Sequence, residues 1–256
     1  MIMIIIVLIL IVLLMINVFC KLNGTFDKRT LPPINYDKQT VIPPNIFMTW
    51  YTKDLSGHLG KNFNLIKRLN PEFNIYLYND DECLKFIEQN FDNTILNAYN
   101  NLIPGAYKAD LWRLCVLYVY GGIYVDIKMQ PFNNFKFYYL LFDEHFCKDR
   151  LDKCIYNAIM VCKPKNTFLL HVINYIVRNV RNKYYGIDDL NPTGPRLLGH
   201  VYENHKYCLN VDMCFKDFNN ISWNGNRICT SSHLLYKILD RKSSYGKLWT
   251  LKEIYM

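Results

Sequence analysis

The chain has 256 residues, 51% of them hydrophobic and 15% aromatic, and a formal net charge of +8. This length and composition suit one α/β domain with a well-buried core and exclude a disordered chain. The positive charge favours anionic partners such as phosphates and nucleotides, whereas the absence of dense Lys/Arg runs and of zinc-finger spacing argues against nucleic acid.

Residues 1–20 form an apolar segment with no charged side chain. Its length suits one helix across a bilayer, and it lacks the basic start and small-residue cleavage site of a signal peptide. We therefore expect a membrane protein with a single N-terminal transmembrane anchor. The side of the membrane that holds the domain stays open. The positive charges after the segment favour the cytoplasm, whereas the Asn-x-Ser/Thr sequons at Asn23 and Asn220 favour a lumen.

Residues 21–41 contain Gly, Pro-Pro and several charges, which is typical of a stalk or linker. The folded domain is predicted to cover residues 42–256. Its cysteines form no CxxC pair, which argues against a structural zinc site. Cys147 with Cys154, and Cys208 with Cys214, suit local disulfides in an oxidising lumen; in a reducing compartment they remain thiols.

Strands and helices alternate along the domain according to the apolar patterns, the Asn caps and the Gly and Pro breaks. The predicted elements are, in chain order, a strand at Ile46–Trp50, a helix at 58–70, a strand at Phe73–Tyr78, a helix from the cap Asn79 to Asn90, helices at 92–101 and Gly105–Tyr120, strands at Ile123–Met129 and Ala158–Cys162, and a helix at Thr167–Asn179. This alternation predicts an α/β fold with a mainly parallel central sheet. Ligands bind such sheets beyond the carboxyl ends of the strands.

Charged side chains converge around the helix that ends at Tyr120. Asp110 and Arg113 are three residues apart and share a helix face. The predicted strand at Ile123–Met129 places Tyr124, Asp126 and Lys128 on one side. Carboxylates accept hydrogen bonds from ribose and sugar hydroxyls, and a guanidinium binds phosphate or sugar oxygens. Taken singly, the Asp/Arg pair also suits a solvated helix salt bridge, and Asp126 also suits a turn.

The run from Ala106 to Asp126, A-x-x-A-D-x-x-R-x-x-x-L-Y-x-x-G-G-I-Y-x-D, resembles the signature of the DxD-containing sugar transferases, glycosyltransferase family 32. This family is related to yeast initiating α-1,6-mannosyltransferase and to the glucosyltransferase domain of the large clostridial toxins. Weaker similarities lie at Ile42–Trp50, Asn157–Met160 and Thr193–Pro195. The resemblance covers about residues 41–200, with a faint trace at Trp249.

This resemblance implies a GT-A-like nucleotide-sugar-binding fold. It also implies a retaining transfer from a UDP- or GDP-sugar to a glycan, glycolipid or glycoprotein acceptor. The residues it assigns to donor binding are Trp50, Asp110, Arg113, Tyr124, Asp126 and Trp249. Trp50 would stack near the base, and Trp249 would approach the leaving phosphate. Core packing is the ordinary alternative for both tryptophans.

The sequence departs from the family pattern at the second Asp of the DxD motif, which is Lys128 here. The stretch Ser243–Trp249 also lacks the histidines that the family often carries there. We assign catalysis to Asp126, Arg113 and Lys128, with two alternatives for the cation. Either Asp126 helps to hold Mn²⁺ or Mg²⁺, or Lys128 replaces the metal beside the diphosphate. Lys128 could also simply pair with Asp126 or face solvent.

A second function competes with the glycosyltransferase. Loss of the second Asp also suits a catalytically inactive, membrane-anchored pseudo-glycosyltransferase that binds glycans or a partner protein. The intact Asp110, Arg113 and Asp126 argue for the active enzyme, since a decayed site tends to lose such residues too.

Overall fold

The computed structural model describes residues 31–216, 219–231 and 245–256. The strands are β1 (Asn45–Thr49), β2 (Asn74–Tyr78), β3 (Gly122–Val125), β4 (Met129–Pro131), β5 (His145–Lys148), β6 (Ile155–Cys162), β7 (Met213–Lys216), β8 (Asn220–Trp223) and β9 (Asn226–Ser231). The helices are α1 (Gly57–Leu69), α2 (Asp80–Asn90), α3 (Asn93–Asn101), α4 (Gly105–Tyr120), α5 (Thr167–Arg181), α6 (Pro195–His205) and α7 (Tyr245–Thr250). A short 3-10 helix covers Phe137–Leu140.

The described strands form one sheet in the order β2-β1-β3-β6-β5-β7-β8-β9-β4. The pairs β1–β2, β1–β3 and β5–β7 are parallel, and the other five pairs are antiparallel. The expectation of a mainly parallel sheet is therefore wrong, and the fold is mixed α/β. The reason lies in the second half of the chain, where short turns such as Asn224–Gly225 join neighbouring strands. Such turns permit only antiparallel pairing.

Local sequence signals explain where the helices begin and end. Asn79 caps α2: its side chain accepts from the Glu82 amide, and the Glu82 carboxylate accepts from the Asn79 amide at 3.0 Å. Helix α4 ends at Gly121, and Gly122 then adopts a φ of +114°. A Cβ at Gly122 would lie 2.6 Å from the carbonyl oxygen of Asn45 in β1, so only glycine fits where the start of β3 lies against β1.

Two hydrophobic clusters cover the two faces of the sheet. Tyr124 of β3 faces the cluster formed by helices α2 to α6, with Trp112 of α4 fully buried in it. Ile123 and Val125 face the other cluster, which includes α1 and the 3-10 helix. This is the alternation predicted for these three residues. Tyr124 therefore lies on the same side of the sheet as α4, next to the polar site at the carboxyl end of β3.

Strand β3 is shorter than the predicted strand Ile123–Met129. It ends at Val125, and the Met129 amide donates to the Asp126 carbonyl at 2.8 Å, closing a turn over Asp126–Lys128. The chain resumes as β4, which pairs with β9 at the far end of the strand order. Lys128 therefore lies on a turn, and the prediction that it continues the strand face of Asp126 is wrong.

The predicted anchor at 1–20 lies outside the described residues, as does the first half of the predicted linker. Among the residues that the structure does describe, no helix is both long and apolar enough to cross a membrane. Residues 31–41 contain neither helix nor strand and run along the domain surface. Their contacts include the Tyr139 hydroxyl, which donates to the Pro32 carbonyl, and the tilted rings of Tyr36 and Tyr138, whose centres lie 4.8 Å apart.

The described cysteines, from Cys83 to Cys229, are free thiols, including both pairs considered for disulfides. Asn220 of the second sequon is 4% exposed and lies in β8. Its side-chain oxygen accepts from Thr230 at 2.9 Å. Because a buried and bonded amide is a poor acceptor for a glycan, this sequon carries no weight for a luminal location.

Candidate donor-binding site

A buried guanidinium links two carboxylates at the carboxyl end of β3. Arg113, on α4, lies 3.3 Å from Asp110 on the same helix face and 3.3 Å from Asp126, which directly follows β3. Its remaining donors reach the Asn157 carbonyl at 2.8 Å and the Ala109 carbonyl at 3.2 Å. The structure thus brings Asp110, Arg113 and Asp126 together, and a solvated surface salt bridge does not describe this pair.

Tyr124 completes the cluster from β3. Its hydroxyl donates to Asp126 at 2.6 Å, and its ring lies 4.4 Å from the Arg113 guanidinium carbon. Burial, followed by the nearby Asp126 carboxylate, raises the pKa of Tyr124 well above its usual value, so this hydroxyl remains a donor. Because that donor fixes one oxygen of Asp126, the other is the oxygen available to a ligand hydroxyl.

Asp110 is held from three directions. Thr193 donates to one carboxylate oxygen at 2.8 Å, and the Asn157 amide donates to the other at 2.9 Å. Burial raises the pKa of Asp110, and Arg113 with these two hydrogen bonds opposes that rise. Burial would also lower the pKa of Arg113, but Tyr124 and the two carboxylates outweigh it and raise this pKa. The cluster is therefore a fixed, mutually dependent set of charges.

Trp50 and Lys128 lie together beside this cluster. The Lys128 ammonium is 4.9 Å from the centre of the Trp50 ring, and Trp50 follows the end of β1, next to β3 in the sheet. The contact is a cation–π interaction. It places an aromatic ring and a cation at the same sheet edge as Asp126.

Trp249 contacts residues outside the cluster of Asp110, Arg113 and Asp126. Its indole N–H donates to the Tyr185 carbonyl at 2.7 Å, and the Lys252 ammonium lies 4.6 Å from its ring. No contact joins it to Asp110, Arg113 or Asp126 in the described part of the chain. Tyr245, on the same helix α7, lies closer to the site. Burial, with the charges of Asp189 and Asp110 added, raises its pKa to about 12.

Sequence reasoning did not select three residues that this geometry brings to the site: Asn157, Thr193 and Tyr245. Asn157 binds both Asp110, through its amide, and Arg113, through its carbonyl. The weak family similarities at Asn157–Met160 and Thr193–Pro195 were the available signal for two of them. Nothing in the sequence around Tyr245 indicates its position.

The residues present fit a divalent cation poorly. Asp126 is the one carboxylate of the DxD turn, and its Oδ1 is already bonded to Tyr124 and Arg113. Arg113 and Lys128 add positive charge on either side, which disfavours a second cation. Within the described residues, no group of three or more His, Cys, Asp or Glu side chains is placed to hold a metal.

Comparison with known proteins finds similarity to sugar transferases. Residues 57–146 match the family described as "Glycosyltransferase sugar-binding region containing DXD motif". Over these residues the chain is similar to the DXD-containing glycosyltransferases. Mannosyl phosphorylinositol ceramide synthase of Saccharomyces cerevisiae is 24% identical over 178 residues, 66% of this chain and 44% of that protein. Initiation-specific alpha-1,6-mannosyltransferase of Candida albicans is 30% identical over 98 residues, 36% of this chain and 26% of that protein.

A solved structure, the PaToxG glycosyltransferase, aligns with a TM-score of 0.47 at 19% identity, over 64% of this chain and 69% of that one. The chain spans about half the length of the curated relatives it matches. The resemblance seen in the sequence is confirmed by the family match and by these mannosyltransferases. They support a glycosyltransferase over the inactive binding protein.

Proposed function

We propose that the chain is a glycosyltransferase that moves a sugar from a nucleotide-diphosphate donor to a glycan or glycoconjugate, with retention of anomeric configuration. The observation that carries this is the buried Asp110–Arg113–Asp126 cluster at the carboxyl end of β3. Nucleotide ligands bind α/β sheets at this edge. The relatives, whose names include mannosyltransferases, favour a hexose as the transferred group. The resemblance in the sequence favours a GT-A-like arrangement of the donor domain.

In this proposal the free oxygen of Asp126 accepts hydrogen bonds from sugar and ribose hydroxyls, and Asp110 contributes through the 12% of its side chain that is exposed. Arg113 holds both carboxylates in place and offers positive charge to the donor. Trp50 stacks near the base, and Tyr124 orients Asp126. We propose that Trp249 acts through α7, whose Tyr245 borders the charge cluster.

In this proposal the Lys128 ammonium replaces the metal ion beside the diphosphate. When the bond between the sugar and the diphosphate breaks, its electron pair leaves with the nucleotide, and negative charge grows on the terminal phosphate. A cation beside that phosphate stabilises the departing charge. Lys128 adjoins Trp50, so the ring that meets the base and the ammonium that meets the diphosphate lie within one nucleotide's length.

The test is release of nucleotide by the full chain from a panel of UDP- and GDP-sugars, with Mn²⁺ and separately with EDTA. We expect release that survives EDTA, and a loss of about hundredfold or more in turnover for Lys128→Ala, with little change in stability. Release that requires Mn²⁺ would remove the role of Lys128. A Lys128→Ala protein of normal turnover would do the same, and no release from any donor would overturn the transferase.

Residues 1–20 supply the membrane attachment in this proposal, with residues 42–256 as the catalytic domain and a glycolipid as one acceptor class. Two relatives carry inositol phosphoceramide chemistry in their names. Alkaline extraction of membranes that contain the full chain tests the anchor. We expect the protein to stay in the membrane pellet, and release into the supernatant would refute the anchor.

A further inference from the structure

A cavity of about 430 Å³ opens between α5, α6 and residues 182–191. Its walls carry the cationic side chains of Lys153, Arg178 and Arg196. Its floor includes the amide side chain of Asn191, which is 8% exposed and accepts from the Ile187 amide at 3.1 Å. The cavity therefore combines charged and amide groups with apolar surface from side chains such as Tyr175, Ile187 and Leu197.

The cavity lies at the same edge of the sheet as the donor site. Strand β6 runs antiparallel to β3, with Ile159 opposite Val125, so β6 begins where β3 ends. Lys153 lies two residues before that beginning. The segment that separates the two sites is short: Thr193 bonds to Asp110 on one side, while Asn191 and Arg196 line the cavity on the other. Residues 191–196 therefore contribute to both the cavity and the surroundings of Asp110.

Positive charge exceeds negative charge along the cavity wall. Three cations line it against one carboxylate, Glu203, which is 3.9 Å from Lys153. Arg196 is bound to Asp188 at 2.6 Å. Arg178 has a different environment: its guanidinium carbon lies 4.1 Å from the Tyr175 ring centre, and no described carboxylate lies within 4 Å of its nitrogen atoms. A guanidinium packed on an aromatic ring presents its N–H fork to phosphate oxygens.

The other lining groups suit a polyol. The rings of Tyr175 and Tyr184 offer apolar faces, and Asn182 and Asn191 offer amides. Amide groups both donate to and accept from hydroxyl groups. A ligand that matches these walls has several hydroxyls and at least one phosphate.

We propose that this cavity binds the acceptor, and that the acceptor is a phosphorylated polyol or sugar whose phosphate meets Arg178. The role of the ligand as an acceptor rests on the proposed glycosyltransferase function. The binding of a phosphate in the cavity does not depend on that function. The same chemistry occurs in a soluble sugar phosphate and in a lipid headgroup.

The experiment titrates the full chain in phosphatidylcholine nanodiscs with myo-inositol 1-phosphate, followed by calorimetry. A parallel arm uses short-chain phosphatidylinositol, and myo-inositol without phosphate is the negative probe. The variants are Arg178→Gln and Arg181→Gln; Arg181 is an exposed arginine on the same helix that does not line the cavity. Nucleotide release from the donor in water, without acceptor, is measured beside it.

We expect binding of at least one phosphate-bearing probe, weakened about tenfold or more by Arg178→Gln and unchanged by Arg181→Gln. Binding of the lipid probe alone would identify a headgroup as the source. No binding of either probe, or equal binding by wild type and Arg178→Gln, would overturn the site. Donor cleavage separates this proposal from the proposed transferase function. Arg178→Gln should cleave the donor at the wild-type rate, because the donor site lies outside the cavity. If wild type cleaves no donor, the transferase is refuted, and the titration alone then decides whether the cavity binds phosphate.

Discussion

Replacing Arg113 by methionine tests the charge cluster, because methionine keeps the length of the side chain and removes its charge. The Arg113 side chain is 7% exposed and that of Asp110 12% exposed, so Asp110 would be left as a buried, uncompensated carboxylate. Removing one partner of a buried ion pair costs about 3–5 kcal/mol. Asp126, whose side chain is 34% exposed, keeps access to water and adds less. We expect the Tm to fall by about 6–20 °C.

The double variant Asp110→Asn/Arg113→Met shows whether the unpaired charge causes this loss. Asparagine keeps an oxygen that accepts from Thr193 and has no charge to desolvate. It should therefore recover about 1–3 kcal/mol relative to Arg113→Met alone. Chemical denaturation of the full chain measures both values, with Arg181→Met as the exposed control. A double variant no more stable than Arg113→Met would refute the reasoning.

The loss of stability in Arg113→Met should depend on pH in a defined direction. Burial raises the pKa of Asp110 in the folded protein, so the folded state binds its proton more tightly than the unfolded chain. The contribution of Asp110 to stability is then greatest below its unfolded pKa of about 3.9 and is lost as the pH rises through the folded value. Without Arg113 this pKa rises further. The deficit of Arg113→Met should therefore narrow as the pH is lowered from neutral, and a deficit independent of pH would contradict the assignment.

Three further changes have separate outcomes. Lys128→Asp restores a second carboxylate to the DxD turn and should make nucleotide release depend on Mn²⁺, as shown by its loss in EDTA. Tyr124→Phe removes the hydroxyl that donates to Asp126 and should cost about 1 kcal/mol in denaturation and raise the KM for the donor. Asn79→Ala removes the cap of α2 and should lower the Tm by about 2–4 °C while leaving nucleotide release unchanged. A normal KM in Tyr124→Phe, or reduced release in Asn79→Ala, would contradict these assignments.

The first half of the domain was predictable because its signals are local. The helix Gly105–Tyr120 has the predicted bounds, and Asn79 caps α2 as expected, since both depend on residues within one turn of the chain. Asp110 and Arg113 share a face for the same reason. The convergence of Asp126 on them followed from the strand end and is seen in the contacts of Arg113.

The remainder depended on long-range pairing. The turn at Asp126–Lys128 forms where the chain leaves β3 to pair as β4 with β9, about a hundred residues later, and no local pattern indicates it. The mixed sheet has the same origin. Asn157 and Thr193 reach Asp110 from residues 47 and 83 positions away, so their place in the site appeared in the sequence only as weak family similarity.

The most direct measurement compares nucleotide release by wild type and by Asp126→Asn from the preferred donor. Asparagine keeps the shape of Asp126 and its hydrogen bond from Tyr124, but it accepts ligand hydroxyls without a charge. The donor site described above predicts that wild type cleaves at least one UDP- or GDP-sugar and that Asp126→Asn is slower by about hundredfold. Equal rates in the two proteins would contradict the placement of the donor at this cluster.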